Sequence, residues 1–516
     1  MTTSFTKKET ELIIDNIGSL LTKIEKKKLI SVDPVKTEIE KLDKVILDFV
    51  KTKKRKIYGG TAQNEAVAIK DKNDAFYDED NISDIDIYSF DPINDMIEIA
   101  NILHEKGFTE IHCTEAMHKE TYAIFVNYRK ALDLSYVNKF VYDSIQTVTN
   151  NGLYYVHPHV AIIDLYKMIT DPYFSNNRWE KAVSRIYLLQ KHYPFEKYGK
   201  IKNMDFVISG EKEKNGGKIL PGTIPENIKK VKNDISSSIL SFIKEKRRET
   251  CILFGEYALN KYLEKEEIKN PFLRIISTDY KEDCIAIIKE LKKKYLSKLS
   301  IKEYYPVWNL FGYSSYITYD SYPVCSIVNY SGICVNTKIP KGEKIKIASF
   351  DKNLLYTMCL QFYAKMNRSQ EMIKYFGAMI NELISAKNEF FKKTKKTILD
   401  DTLFQQFIID CEAKVIDPIV EKQIRKTKKF LARKLVTFNY RPDIDGVKKP
   451  ESTYRFANTS GNMITNIKNY KIIPFLFEEL PLLKKTLKEN NKDKDIEKTF
   501  ELVAEILNDK DERIKS

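Results

Sequence analysis

Apolar side chains recur every three to four positions over residues 8–27 and again over 34–51, so two helices open the chain. In the second, Val35, Ile39, Leu42, Ile46 and Phe49 share a face, Asp33 can cap, and Pro34 suits the first turn. The period then changes. A basic run, KTKKRK at 51–56, leads into a short strand, a glycine pair and a helix from about Ala62 to Lys70. The polar stretch KDKNDAFYDEDN separates that helix from the alternating run ISDIDIY at 82–88, which reads as a strand. A helix over 92–106, strands near 121–128 and 131–135, and helical spacing over 161–192 follow. This alternation describes one compact α/β or α+β unit.

After a polar stretch at 200–232 that reads as a linker, the pattern restarts. KIYGGTAQNEAVAIK at 56–70 is echoed by CILFGEYALNKYLEK at 251–265, and the strand and long helix that follow by FLRIISTDYKEDCIAIIKELKKKY at 272–295. The order of strand, glycine turn, helix, strand and long helix repeats, but without the paired aspartates; Phe272 and Arg274 fall about where they would be. The expected organisation is N-terminal helices (1–55), a catalytic domain (56–200), a linker (201–234), a decayed copy of the first domain (235–345), and a helical C-terminal region (346–516). Within that last region 439–462 reads as a long polar loop and 475–510 as helices.

Composition narrows the class. With 43% hydrophobic and 31% charged residues the chain can build sizeable cores, and no apolar run is long enough to span a bilayer. No signal-peptide pattern opens it, and seven scattered cysteines without a CxxC pair read as reduced thiols, so a soluble intracellular protein is expected. The net charge of +14 rests mainly on lysine, a diffuse phosphate binder, which fits a polyanion held with little sequence preference; an AT-rich coding genome would give the same composition.

Chemistry concentrates near the first glycine pair. On a strand Asp84 and Asp86 share one face and Ile85 and Ile87 the other. Two close carboxylates resist desolvation unless something positive lies between them, and a divalent metal serves. Other D-x-D pairs (Asp78/Asp80, Asp443/Asp445, Asp493/Asp495) sit in polar surroundings that would not hold them rigidly. Gly59, Gly60 and Thr61 lie at a strand-to-helix junction, where bare backbone N–H groups can approach phosphate. Asp133, in Ala-Leu-Asp-Leu-Ser, is a third acid on a later strand, facing as Ala131 and Ser135 do. His157-Pro-His159 lacks ligand-spaced partners, and Trp179 beside Arg178 and Lys181 reads as a packed tryptophan.

Glycine turn, hDhDh strand and a later strand with one more Asp is the order found in polymerase-β-type nucleotidyltransferases. YGGTAQN, SDIDIY, ALDLSYV and the lysine-rich, duplicated body resemble the poly(A) polymerase catalytic subunits of large DNA viruses, the poxviral and giant-virus type. The resemblance implies a first transferase domain that is active and a second that has lost its acids. It implies that Asp84, Asp86 and Asp133 bind two Mg²⁺ (or Mn²⁺) ions and catalyse, that Gly59, Gly60 and Thr61 cradle ATP, and that AMP is added to the 3′ end of single-stranded RNA without a template. A homodimer working in the cytoplasm, in a viral factory or virion, is implied as well. One departure is the spacing from Gly60 to Asp84, longer than in cellular members and read as an insertion at 70–81. A transferase with another acceptor, and an inactive RNA-binding scaffold, remain the rival readings at this point.

Overall fold

The computed structural model describes residues 6–31, 36–77, 85–210, 217–264, 268–295, 298–431 and 438–451, with 456, 461 and 463–467. They form two units: the described parts of 1–136, 146–157 and 422–455, and those of 137–145, 158–421 and 456–516. Elements are numbered in chain order.

The first unit holds helices α1 (Lys7–Ser31), α2 (Lys36–Thr52), α3 (Gly59–Lys70) and α4 (Pro92–Glu105). Its strands are β1 (Lys56–Tyr58), β2 (Ile85–Ser89), β3 (His112–Glu115), β4 (Thr121–Val126), β5 (Arg129–Tyr136), β6 (Thr147–Asn150), β7 (Leu153–Val156) and β17 (Asn439–Tyr440). They make one mixed sheet in the order β17-β3-β4-β5-β2-β1-β7-β6. Ile85, Ile87, Leu132 and Leu134 are buried on one face, with α4 along β2 and β5. The apolar stripe of α2, Ile39, Leu42, Ile46 and Phe49, is buried as its spacing predicts, while Asp33 and Pro34 lie outside the described residues.

The second unit carries α5 (Lys139–Ser144), α6 (Pro158–Ile169), α7 (Trp179–His192), α8 (Glu226–Glu245), α9 (Glu256–Tyr262), α10 (Tyr280–Tyr295), α11 (Phe350–Met366) and α12 (Gln370–Lys393). Its large sheet comprises β10 (Cys251–Phe254), β11 (Leu273–Ser277), β12 (Leu299–Tyr304), β13 (Ser314–Tyr319), β14 (Tyr322–Asn329), β15 (Thr337–Lys338), β16 (Ile347–Ala348) and β18 (Met463–Ile467). The order is β15-β16-β10-β11-β14-β13-β12-β18.

Read strand for strand, the two sheets are the same. In each, the first strand pairs antiparallel with the second, and the second parallel with the strand that carries, or would carry, the third acid. In each, a short strand from the C-terminal part of the chain seals the edge: β17 on β3, β18 on β12. The duplication extends to side chains. Arg55 makes a buried two-point contact with Asp95 (2.6 and 2.8 Å), and Ser89 bonds the same carboxylate. In the second unit Arg248 and Ser277 hold Asp283 at 3.1 and 2.6 Å.

Several expectations need correction. The stretch read as a linker contains a hairpin, β8 (Phe206–Ser209) with β9 (Lys218–Pro221), and the start of α8; buried Phe206 and Ile219 explain its order. The helical run 161–192 splits into α6 and α7 and groups with the second unit, because α6 packs along α11. The polar loop at 439–462 contributes β17 and a short helix, α14 (Pro442–Asp445). Cys334 and Cys411, expected as free thiols, form a disulfide; the other five cysteines are free and buried. The helices expected at 475–510 lie outside the described residues. Trp179 is packed, its indole N–H donating to the Met168 carbonyl at 2.9 Å, and His159 Nε2 lies 3.2 and 3.3 Å from the carbonyls of Tyr193 and Pro194. Among the described residues no helix is long and apolar enough to cross a membrane.

Candidate active site

Asp86 lies on β2 directly opposite Asp133 on the parallel neighbour β5, and opposite Tyr58 on β1. Register partners in a sheet share a face, so the two carboxylates project together from strands about 4.8 Å apart. The surrounding surface is small and polar: Ala123 pairs with Asp133 and Thr121 with Ser135, and Ala131 lies next to them on the same face of β5. Tyr58 stacks on Tyr88 with ring centroids 4.0 Å apart, and its hydroxyl lies 2.8 Å from Ser135 Oγ, itself 3.0 Å from Thr121 Oγ1. This hydroxyl and ring network stiffens the strands around the acids. It was not singled out from the sequence, although Ser135 was placed on the acid face.

Gly59 follows Tyr58 at φ +72° and starts α3. A side chain there would be strained, and its Cβ would fall inside van der Waals contact of Asp86 Oδ2. The bare turn therefore gives the acid its room and leaves the first amides of the 12-residue helix α3 beside it. Beyond the helix, Asn64 Oδ1 accepts from the amides of Phe76 and Tyr77, both at 2.8 Å, which ties residues 76–77 back to α3. Asp84, the remaining acid, lies outside the described residues, as do Asp78 and Asp80.

The chemistry of the pair fits a bound cation. Asp133 Oδ2 accepts from Lys130 Nζ at 3.0 Å, but Oδ1 is buried with no hydrogen-bond partner. A buried carboxylate oxygen left unpaired is costly unless a ligand satisfies it. Among the described residues no three His, Cys, Asp or Glu side chains cluster tightly enough to hold a metal; Asp86 and Asp133 supply two carboxylates of the expected three.

The equivalent place in the second unit has been rebuilt. Arg274 occupies the register of Asp86, paired with Phe254 and with Ser326, which stands where Asp133 would. Gly255 repeats the positive φ of Gly59 (+66°), but Glu256 follows it. Arg274 donates to Glu256 at 2.8 and 3.1 Å, both fully buried, under the rings of Phe206, Phe272 and Phe376. The remaining cavity, lined by Arg274, Ser326 and Tyr316 among others, is about 40 Å³, room for a water or two and not for a nucleotide.

Comparisons with known proteins bear on the family to which the whole chain belongs. The family model of the poly(A) polymerase catalytic subunit matches residues 44–175, and that of the C-terminal part of the mimivirus poly(A) polymerase catalytic subunit matches 239–473. A protein of Acanthamoeba polyphaga mimivirus named as a poly(A) polymerase catalytic subunit is 31% identical over 507 residues, covering 90% of this chain and 83% of its own. An African swine fever virus protein of the same name is 32% identical over 149 residues, 28% of this chain and 31% of its own. The crystal structure of the Megavirus polyadenylate synthase superposes with a TM-score of 0.80 at 29% identity, covering 90% of this chain and 94% of that one. With Asp86 and Asp133 paired beside the Gly59 turn in the first unit, a rebuilt counterpart in the second and likeness along nearly its whole length, the chain belongs to the viral poly(A) polymerase catalytic subunits, the polynucleotide adenylyltransferases of giant viruses.

Proposed function

We propose that the chain adds AMP from ATP to the 3′ end of single-stranded RNA at the Asp86–Asp133 face, with Asp84 as the third carboxylate. The observation that carries this is the placement of Asp133, with its unpartnered oxygen, opposite Asp86 beside the Gly59 turn. Asp84, Asp86 and Asp133 would hold divalent ions, Mg²⁺ or Mn²⁺, which in this chemistry neutralise the triphosphate and make the attacking hydroxyl more acidic. Gly59, Gly60 and Thr61 present backbone amides to the phosphates of ATP. The RNA 3′-oxygen forms a bond to the α-phosphorus, the bond to the bridging oxygen breaks in line, pyrophosphate leaves, and Asp133 takes the hydroxyl proton. Tyr58 and Ser135 hold the strands at fixed spacing while this happens.

The exposed Lys392, Lys393, Lys395 and Lys396, together with the basic run at 425–434, suit a phosphate-tracking surface. In that run Arg425 bonds the Met117 carbonyl at 2.8 Å, and the side chains from 428 lie outside the described residues. A homodimer with a shared RNA path, acting in a viral factory or virion, completes the reading. Purified protein with a labelled RNA primer, Mg²⁺ or Mn²⁺ and each nucleotide triphosphate separately tests it. Long tails from ATP alone are expected. Absence of extension, or extension from every nucleotide alike, refutes the adenylyl-transfer assignment.

A further inference from the structure

Between α12 and helix α13 (Pro418–Leu431) the chain runs from 394 to 417 without a helix or strand. Segments of that length inside a folded unit need an anchor or a function. Its first half is anchored by Phe404, 4% exposed and packed against Phe390, Phe350 and Tyr262. Its second half, 408–417, has no such buried ring. It lies along the loop leading to β15, held by hydrogen bonds: the Asn336 amide to the carbonyls of Ile408 and Asp410 (3.2 and 2.9 Å), Glu412 N–H to the Val335 carbonyl (3.0 Å), and Thr337 to Glu412 (2.8 Å). Ile409 and Ile416 are 67% and 43% exposed and Ile408, Ala413 and Val415 only half-buried, so no fully buried apolar side chain anchors it.

What closes the contact covalently is the disulfide from Cys334, 3% exposed, to Cys411, which is partly exposed; their Cα atoms are 5.0 Å apart and 77 positions separate them. We infer that Cys334–Cys411 is a reversible redox modification site, a latch on the strap 408–417 opened by a dithiol reductant. The step is thiol–disulfide exchange. A thiolate of the dithiol attacks the sulfur of Cys411, the less buried of the two residues, and the S–S bond breaks, Cys334 leaving as a thiolate that takes up a proton. The reductant's second thiolate then displaces Cys411, so the dithiol is oxidised to a disulfide and both cysteines become thiols. The remaining five cysteines are buried and unpaired, so the exchange is confined to this pair.

Full-length protein prepared without reductant should yield, after alkylation and non-reducing digestion, one linked pair of peptides containing Cys334 and Cys411. Limited trypsin cleavage after the exposed Lys414 should run at least ~10-fold faster once a dithiol is added, because the bonds of 408–417 then open locally. Cys411→Ser should show that faster rate with or without the dithiol. Seven alkylated cysteines in the unreduced protein, or an unchanged cleavage rate on reduction of the wild type, would overturn the inference; the wild-type comparison stands even where the variant folds poorly.

Discussion

At the residue scale the acid pair and the glycine turn make separable demands. Asp86→Asn and Asp133→Asn keep the volume and remove one charge each from a face that carries both. Nucleotide addition should fall by about 10³-fold or more, while thermal unfolding of the metal-free protein shifts little, or upward for Asp86→Asn as like-charge repulsion eases. Primer extension alongside calorimetry checks both halves, and near-normal extension by either variant refutes the assignment. Gly59→Ala differs in kind. At φ +72° and against Asp86 Oδ2, the added methyl should cost roughly 1–2 kcal/mol of stability and most of the activity together. A denaturant titration that finds it as stable as the parent would show the turn is not constrained.

A buried carboxyl in the second unit gives a pH signature. Burial pushes Asp351 up from the ordinary 3.8 to about 6, with Gln406 and Lys387 pulling the other way. Below about pH 4 the group is neutral in both states and costs nothing. Between about 4 and 6 the unfolded chain ionises it and the native one does not, so its contribution to stability falls as pH rises, levelling off above 6 at a cost of about 3 kcal/mol. Asp351→Asn should flatten that part of the stability–pH curve; an unchanged slope would contradict the placement.

At the element scale the second sheet shows what replaces a lost site. Arg274 and Glu256 neutralise each other in a cage of rings, so removing one partner leaves a buried charge. Arg274→Ala should therefore destabilise by roughly 3–5 kcal/mol, and an apolar double replacement should recover most of it. Neither is expected to alter primer extension at temperatures where the protein stays folded, since the acids lie in the other sheet. The edge strands make a second demand: β17 and β18 cover β3 and β12, and a chain ending before residue 438 would leave both edges bare. Aggregation of that truncation in light scattering is expected, and a soluble, monodisperse product would argue against an edge-sealing role.

At the scale of the whole molecule, long tails need an RNA-holding surface larger than the active site. If several lysines from two copies track the phosphates, RNA affinity should fall with salt at a log–log slope of about −0.7 for each phosphate contacted. Light scattering at micromolar concentration reads the oligomeric state independently. A monomer that still makes long tails unaided would contradict the dimer.

Much of this was legible in the sequence because local patterns carry it. Alternation placed Asp86 and Asp133 each on a face, helical spacing found α2 and α4, and the restart at 251 announced the duplication. Strands of two to four residues such as β3, β6, β7 and the hairpin of β8 and β9 were passed over, because so few positions set no readable period. Which residues meet across the fold belongs to the tertiary structure. Register alone put Asp133 opposite Asp86 and chose Arg274, from the two candidates the sequence offered, for the acid's place opposite Ser326; packing joined Cys334 to Cys411 and brought β17 and β18 back to β3 and β12 from far along the chain. Sequence specifies which faces are apolar and which residues can do chemistry; long-range pairing, decided by the summed burial of many faces at once, determines what they do it with.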